Sequence, residues 1–428
     1  MPLARQLLRS SLLIGLPALF VAAPFAYSQE SSPTAKSALK PVLQTFVDKH
    51  LVAGAVGLVA GKAGVWEVDA VGEADMVTHQ PMPENAVFWI ASMSKSLTGA
   101  ALMMLVDEGK VNLDDPVEKY LPEFKGQQVV EKDGSLHPPK HPITVREIMD
   151  HTSGLVKAND KALKRTQSLK ENVAQYAKLP LRQEPGTKFE YNNCGINTGG
   201  RIIEVASGMS YAEFMQKRLL GPLGMKDTTF WPDAEQAARL AHTARRNPEK
   251  PDLNVLEQLT QDKNVSAQVI EKWTEGVPVP AAITADMGAG MAMDYAKHYG
   301  EPAGGFFSTA RDIGAFCQML LNQGVYHSQR LLSEKAVRTL SSIQTGEVPV
   351  NPQEGYGVGV FVKIRDDEGE SVGSFGHRGA RRTVMWVDPS NGLVLVLLFE
   401  RFDMKGDEQK EVYGTFFKAA VKTYGKHQ

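Results

Sequence analysis

Apolar, β-rich runs stand at both ends of this chain, and that separation restricts the folds open to it more than any other feature. Near the N-terminal end, Gly54–Ala60 and Val65–Val71 read as strands around a Gly-Lys-Ala-Gly turn. Near the other end, Tyr356–Ile364, Val372–Gly376, Thr383–Val387 and Leu393–Phe399 read the same way, with Asp388-Pro389-Ser390-Asn391-Gly392 as a hairpin turn between the last two. A mainly helical middle separates the two groups. Unpaired strand edges invite aggregation, so the simplest arrangement is one antiparallel sheet drawn from both ends. Val42, Leu43, Phe46, Val47 and His50 follow helical spacing, and Glu411–Tyr424 is amphipathic; these terminal helices are expected on one face of the sheet. The fold class is α+β. A sheet lobe of about 37–91 and 344–428 and a helical lobe of about 92–343 form a single unit within the 428 residues.

The N-terminal segment is set apart from the fold. Arg5 and Arg9 precede the apolar stretch Leu12–Ala23, and Ala26-Tyr27-Ser28 places small residues where a signal peptidase reads them. Residues 1–28 therefore read as a secretory signal peptide, with an uncleaved anchor as the alternative, and 29–36 as a polar, flexible tether. Export to the periplasm or medium is the expectation, with no stable membrane insertion after cleavage. Loss of the two leader arginines, which no acid accompanies, takes the formal charge from −2 to −4. Neither value, nor any block of like charges, suggests nucleic acid as a partner. Cys194 and Cys317 could pair in an oxidising compartment, but two buried free thiols is the favoured reading.

Helix starts in the middle are well marked. Thr144-Val145-Arg146-Glu147 is a capping box with Ile143 and Ile148 as its hydrophobic staple, Ser210-Tyr211-Ala212-Glu213 is a second, and Thr309 caps a helix over Ala310–Asn322 that stops at Gly324. Residues 241–300 lack a strong period and read as an irregular insertion with a short helix near Val265–Trp273.

The chemistry concentrates at Phe88–Gly99, FWIASMSKSLTG. The helix that follows, to Glu108, is apolar nearly all round, as buried helices are. Ser92 lies in its first turn, where unpaired N–H groups and the helix dipole favour negative charge. Lys95 is one turn on, facing the same way. Burial disfavours the ammonium, so its pKa is expected to fall by about two or three units from ~10.4, giving a base usable near neutral pH. Two further stretches join this one: Tyr191-Asn192-Asn193 after a turn, and Ser374-Phe375-Gly376-His377-Arg378-Gly379-Ala380 on a strand. Trp89 reads as core. His151, in His-Thr-Ser-Gly, reads as pinning a turn after its helix rather than as catalytic. The histidines show no metal-binding spacing, and Gly304-Gly305 is a tight turn rather than a phosphate cradle, so no cofactor is expected.

Ser-x-x-Lys, then Tyr-x-Asn, then a late strand triplet ending in Gly resembles the three-motif pattern of serine β-lactamases and penicillin-binding proteins. Order and spacing look most like the class C branch, with its related esterases and D-aminopeptidases. The runs TVREIMDHTSGL (144–155), LLGPLGM (219–225) and GGFFSTARD (304–312) agree, and the likeness spans the expected mature chain except roughly 241–300. The resemblance implies a β-lactamase/transpeptidase-like fold and an acyl-enzyme on Ser92. It makes Lys95 the general base, Tyr191 the proton shuttle to the leaving group, and the N–H groups of Ser92 and Ala380 the oxyanion hole. Asn193, His377 and Gly379 would contact substrate.

One departure bears on substrate. Where most class C β-lactamases have Lys-Thr-Gly, this chain has His377-Arg378-Gly379, so a fixed charge for a β-lactam or peptide carboxylate is missing unless Arg378 or Arg381 supplies it. Strand alternation turns Arg378 away from the face of His377. An ester or amide hydrolase of esterase type is the leading expectation. A true β-lactamase, a D-stereospecific peptidase or carboxypeptidase, and a non-catalytic cell-wall-binding scaffold are alternatives. The matching partners are a small ester, amide or β-lactam, or a cell-wall peptide; oligomeric state is open.

Overall fold

The computed structural model describes residues 37–425 except 77, 165, 167, 243, 246–278, 281–298, 368 and 402–403. The expected signal peptide and tether, and the short helix near Val265–Trp273, lie outside the described residues.

Strands from the two ends of the chain meet in one sheet. In chain order its strands are β1 (Gly54–Ala60), β2 (Val65–Asp75), β3 (Gln80–Pro81), β4 (Glu354–Tyr356), β5 (Phe361–Lys363), β6 (Phe375–Arg378), β7 (Val384–Asp388) and β8 (Leu393–Leu398). They lie in the order β4-β5-β6-β7-β8-β1-β2-β3, every neighbour antiparallel. The join between the ends is β1 on β8, running from Val56 opposite Leu398 to Ala60 opposite Val394. The β7–β8 hairpin closes at Asp388–Gly392, where the Asp388 carboxylate accepts from Asn391 N at 3.1 Å and Gly392 takes φ +70°.

Both faces of the sheet are covered, which is why β8 reads LVLVLL without polar alternation. Val394, Val396 and Leu398 enter the larger core. Leu393, Leu395 and Leu397 enter a second core with α1 (Leu39–Asp48) and α5 (Gly406–Tyr424). Each such side chain contributes about 1.5–3 kcal/mol on burial. Against the other face lies α4 (Ala310–Leu321). Its Gly314 comes close enough to Leu58 that a Cβ would sit 3.1 Å from that side chain, and Gln318 Nε2 donates to Gly61 O at 2.8 Å. Sequence placed this helix in the helical lobe; its apolar face instead roofs the sheet.

Two helices carry the site. After a 3-10 turn, Ala91–Met93, α2 (Ser94–Asp107) runs with every residue from Ser94 to Leu105 buried, and Gly109 at φ +69° follows its end. At its middle, Gly99 meets the loop after β4: a Cβ there would overlap Val358 O. The run Tyr356–Ile364, read from sequence as one strand, is therefore two strands and a turn. Gly359, at φ +75°, lies against Lys95 O, and its own carbonyl accepts from Ser96 Oγ at 2.8 Å, so this segment leaves the sheet to pack on α2. The second helix is α3 (Asn193–Ser207). The Thr144 capping box forms in full; at Ser210 the hydroxyl accepts from Glu213 N while Glu213 pairs with Lys217. Ser37–Gln428 clusters as one compact unit.

Candidate active site

Ser92 is presented by a strained turn. Phe88–Trp89 pairs with Phe307–Ser308, Ile90 N donates to Phe306 O at 3.0 Å, and Trp89 Nε1 donates to Gly304 O at 2.7 Å. Held on that side, the chain passes through Ala91 at φ +46°, a left-handed conformation rare outside glycine, before entering α2.

Lys95 has no exposed surface. Its Nζ donates to Ser92 Oγ at 3.0 Å and to Ala303 O at 2.7 Å. Desolvation lowers its pKa from the usual lysine range to about 7, against a smaller upward pull from Glu301. At neutral pH much of the amine is therefore unprotonated, and its lone pair can receive the Ser92 proton along the same 3.0 Å line.

The Ala303 carbonyl is itself held. Ala303 N donates to Asn197 Oδ1 at 3.0 Å, and Asn197 Nδ2 lies 3.3 Å from Glu301 Oε1. Burial raises the Glu301 carboxyl above its ordinary pKa, with Asn197 and Lys95 pulling the other way. No sequence motif marked Asn197 or Glu301. They reach Lys95 only through the turn that packs residues 301–305 beside α2.

The Tyr191 phenol lies near enough to Ser92 for the serine hydroxyl to lower its pKa, and Lys95 Nζ lies 4.8 Å from its ring centroid. The residue is 39 % exposed, yet desolvation at the phenol holds its pKa well above the ordinary value. The group is a protonated phenol at neutral pH. Asn192, not Asn193, caps α3: its Oδ1 accepts from Cys194 N at 2.7 Å while Nδ2 donates to Leu155 O and Val156 O. Asn193 occupies the first helical position, half-buried. An Asn immediately before a helix is a capping signal that could have been read from sequence. His151 is buried beside Tyr191, with ring centroids 4.5 Å apart.

The third stretch lies across from Ser92. A Cβ at Gly379 would overlap Thr383 Oγ1 and come within 2.7 Å of Ile90 O, so only glycine lets this turn approach the segment before Ser92. Ala380 sits in that turn, exposed, with no hydrogen-bond partner for its N–H among the described residues. His377 is 1 % exposed: Nδ1 lies 2.8 Å from Arg378 O and Nε2 3.2 Å from the Tyr356 hydroxyl. The carbonyl can only accept, so Nδ1 carries the proton and Nε2 accepts from Tyr356. Burial and the nearby Lys95 charge push the ring pKa well down, leaving it neutral. A substrate contact by His377 would need one of these bonds to give way. Arg378 is turned to the other face, bridging Glu354 (2.6 Å) and Glu370 (2.8 Å) over the Trp386 ring. Arg381 stacks over Trp89, 5.7 Å from its ring centroid. Cys194 and Cys317 are buried free thiols.

An eight-stranded antiparallel sheet with helices on both faces, and a buried lysine beside a serine at the start of a helix, together define a serine hydrolase of the β-lactamase/transpeptidase-like fold. The chain belongs to the beta-lactamase family, whose model matches residues 39–417. Protein Rv1367c of Mycobacterium tuberculosis is 28 % identical over 405 residues, covering 88 % of this chain and 93 % of that protein. Esterase EstB of Burkholderia gladioli is 29 % identical over 221 residues, 48 % of this chain and 54 % of the esterase. Among solved structures, EstCE1, described as a hydrolase with promiscuous acyltransferase activity, superposes with a TM-score of 0.68 at 21 % identity, covering 89 % of this chain and 97 % of that one.

Proposed function

We propose that this chain hydrolyses esters through an acyl-enzyme on Ser92. The observation that carries the reading is the buried Lys95 amine, with a pKa of about 7, 3.0 Å from Ser92 Oγ. Lys95 takes the hydroxyl proton as Oγ attacks the acyl carbonyl. The N–H groups of Ser92 and Ala380 receive the oxyanion. Tyr191, a phenol rather than a phenolate, passes the proton from Lys95 to the departing alcohol, and water then releases the acyl group by the reverse path. Asn193 and Gly379 border the substrate in this scheme.

An ester is favoured over a β-lactam because the strand offers no fixed cation on the catalytic face. His377 is neutral and Arg378 is engaged behind the sheet. The esterase among the relatives supports the same choice.

Fluorophosphonate labelling of the full chain tests the nucleophile: the wild type takes the label and Ser92→Ala does not. Turnover of short-chain aryl esters without turnover of a chromogenic cephalosporin is the expected pattern. Labelling that persists in Ser92→Ala, or no hydrolysis of any ester, overturns the reading. Export is part of it, carried by Arg5, Arg9 and Leu12–Ala23; N-terminal sequencing of the exported protein is expected to begin at Gln29.

A further inference from the structure

His151 is held in a conformation that its side chain disfavours. It takes φ +67°, the left-handed region, at a buried position. Its backbone oxygen accepts from Glu190 N at 2.8 Å, and its ring Nδ1 accepts from Asn192 N at 3.1 Å. Those donors are the residues on either side of Tyr191, and the imidazole packs against the Tyr191 ring, centroids 4.5 Å apart and planes tilted by 44°. A backbone N–H can only donate, so Nδ1 is the bare nitrogen and the proton sits on Nε2. That Nε2 is buried with no hydrogen-bond partner among the described residues. A left-handed backbone and an unmatched buried N–H at one residue are costs a mere turn does not need, since a glycine or asparagine would make the turn without them. Both are explained if the ring is there for what its Nδ1 and its packing hold.

We propose that His151 is the positioning residue of Tyr191: gripping the chain on both sides of the tyrosine and bracing its ring, it aims the phenol so that a proton reaches the leaving group. The inference rests on the role given to Tyr191 above. His151 touches neither Ser92 nor the substrate in this account. Around its ring stand Tyr191, Tyr356 and Phe189 in direct contact, with Lys95 and His377 close enough for their charges to be felt.

Leaving-group dependence separates aiming a proton from merely holding the fold. A 4-nitrophenolate leaves without protonation, whereas an alkoxide does not. Values of kcat/KM, which report the acylation step, are measured on 4-nitrophenyl acetate and ethyl acetate with the full chain. His151→Leu is expected to lose at least about tenfold more on the ethyl ester than on the aryl ester, within the range a positioned general acid supplies. Asparagine tolerates a positive φ and places an acceptor near the Nδ1 position, so His151→Asn is expected to restore the wild-type ratio. Glutamine carries its acceptor one methylene too far, so His151→Gln is not. The Asn and Gln pair decides the matter should the leucine variant fail to fold. In a Tyr191→Phe background, His151→Leu should cost nothing further on the ethyl ester. Equal losses on both esters, equal behaviour of Asn and Gln, or additive losses in the double variant overturn the proposal. If Tyr191→Phe by itself shows no leaving-group dependence, the role of Tyr191 has failed, and this inference is overturned with it, by a separate measurement.

Discussion

Lys95 and Glu301 are joined through a chain of three hydrogen bonds. The carbonyl that receives Lys95 Nζ belongs to Ala303, and the amide of Asn197 connects Ala303 N to the Glu301 carboxyl. A nominal base and a half-buried acid thus share one scaffold, and the charge of the acid raises the pKa of the base. Removing that charge should lower the Lys95 pKa. Glu301→Gln is expected to move the acid limb of kcat/KM to lower pH, read from a pH profile with an aryl ester; a limb that moves upward or stays put refutes the coupling.

For the wild type, the active form needs neutral Lys95. Activity should fall tenfold per pH unit as pH drops below about 7, where the amine becomes protonated. A limb near 4 or 5 would point to a carboxylate as base instead.

The same amine destabilises the fold. Its folded pKa of about 7 lies below the unfolded value, so the unfolded chain binds the extra proton. Stability therefore rises with pH between about 7 and ~10.4, and the full penalty applies below 7. The shift corresponds to about 4 kcal/mol at neutral pH, part of which the two hydrogen bonds of Lys95 offset. Lys95→Met is expected to raise Tm at pH 7, to flatten its rise with pH, and to abolish esterase activity. A lower Tm would show that the lysine's bonds outweigh its desolvation.

Gly379→Ala should leave the fold and disable the site. Its Cβ would press on Thr383 and on Ile90 O, moving the Ala380 amide away from Ser92. If that amide receives the oxyanion, kcat should drop by about 100-fold or more with a smaller change in KM. Wild-type kcat in a folded variant would remove Ala380 from the oxyanion hole.

Arg378→Gln makes the opposite prediction. It strips Glu354 of its cation behind the sheet and leaves Glu370 to Lys363 alone, 2.6 Å away, an expected loss of about 3 kcal/mol or less in urea unfolding. The folded fraction should keep its KM for both neutral and carboxylate-bearing esters. A KM that rises only for the carboxylate-bearing ester would place Arg378 in substrate recognition.

What could be read from sequence was local or periodic. Ser92 and Lys95 are three residues apart, so helical geometry alone puts them together. Thr144, Ser210 and Thr309 announced their helices because a cap needs only the next turn. The strands of the sheet were legible from runs such as Leu393–Leu398, and the turn at Asp388–Gly392 from its residue types. The break in Tyr356–Ile364 was not, because the reason for it is the backbone of Lys95 pressing on Gly359 from another part of the chain. Likewise His151 was legible as a turn residue but not as the partner of Asn192, 41 positions away.

The sequence by itself determined the order of the elements, the serine–lysine pair on one helix face, and the family. Tertiary structure alone decided whether that lysine carries a charge. Its amine loses water only when the chain brings Ala303 and Tyr191 against it, and desolvation depends on every neighbour in three dimensions rather than on the few nearest in the chain.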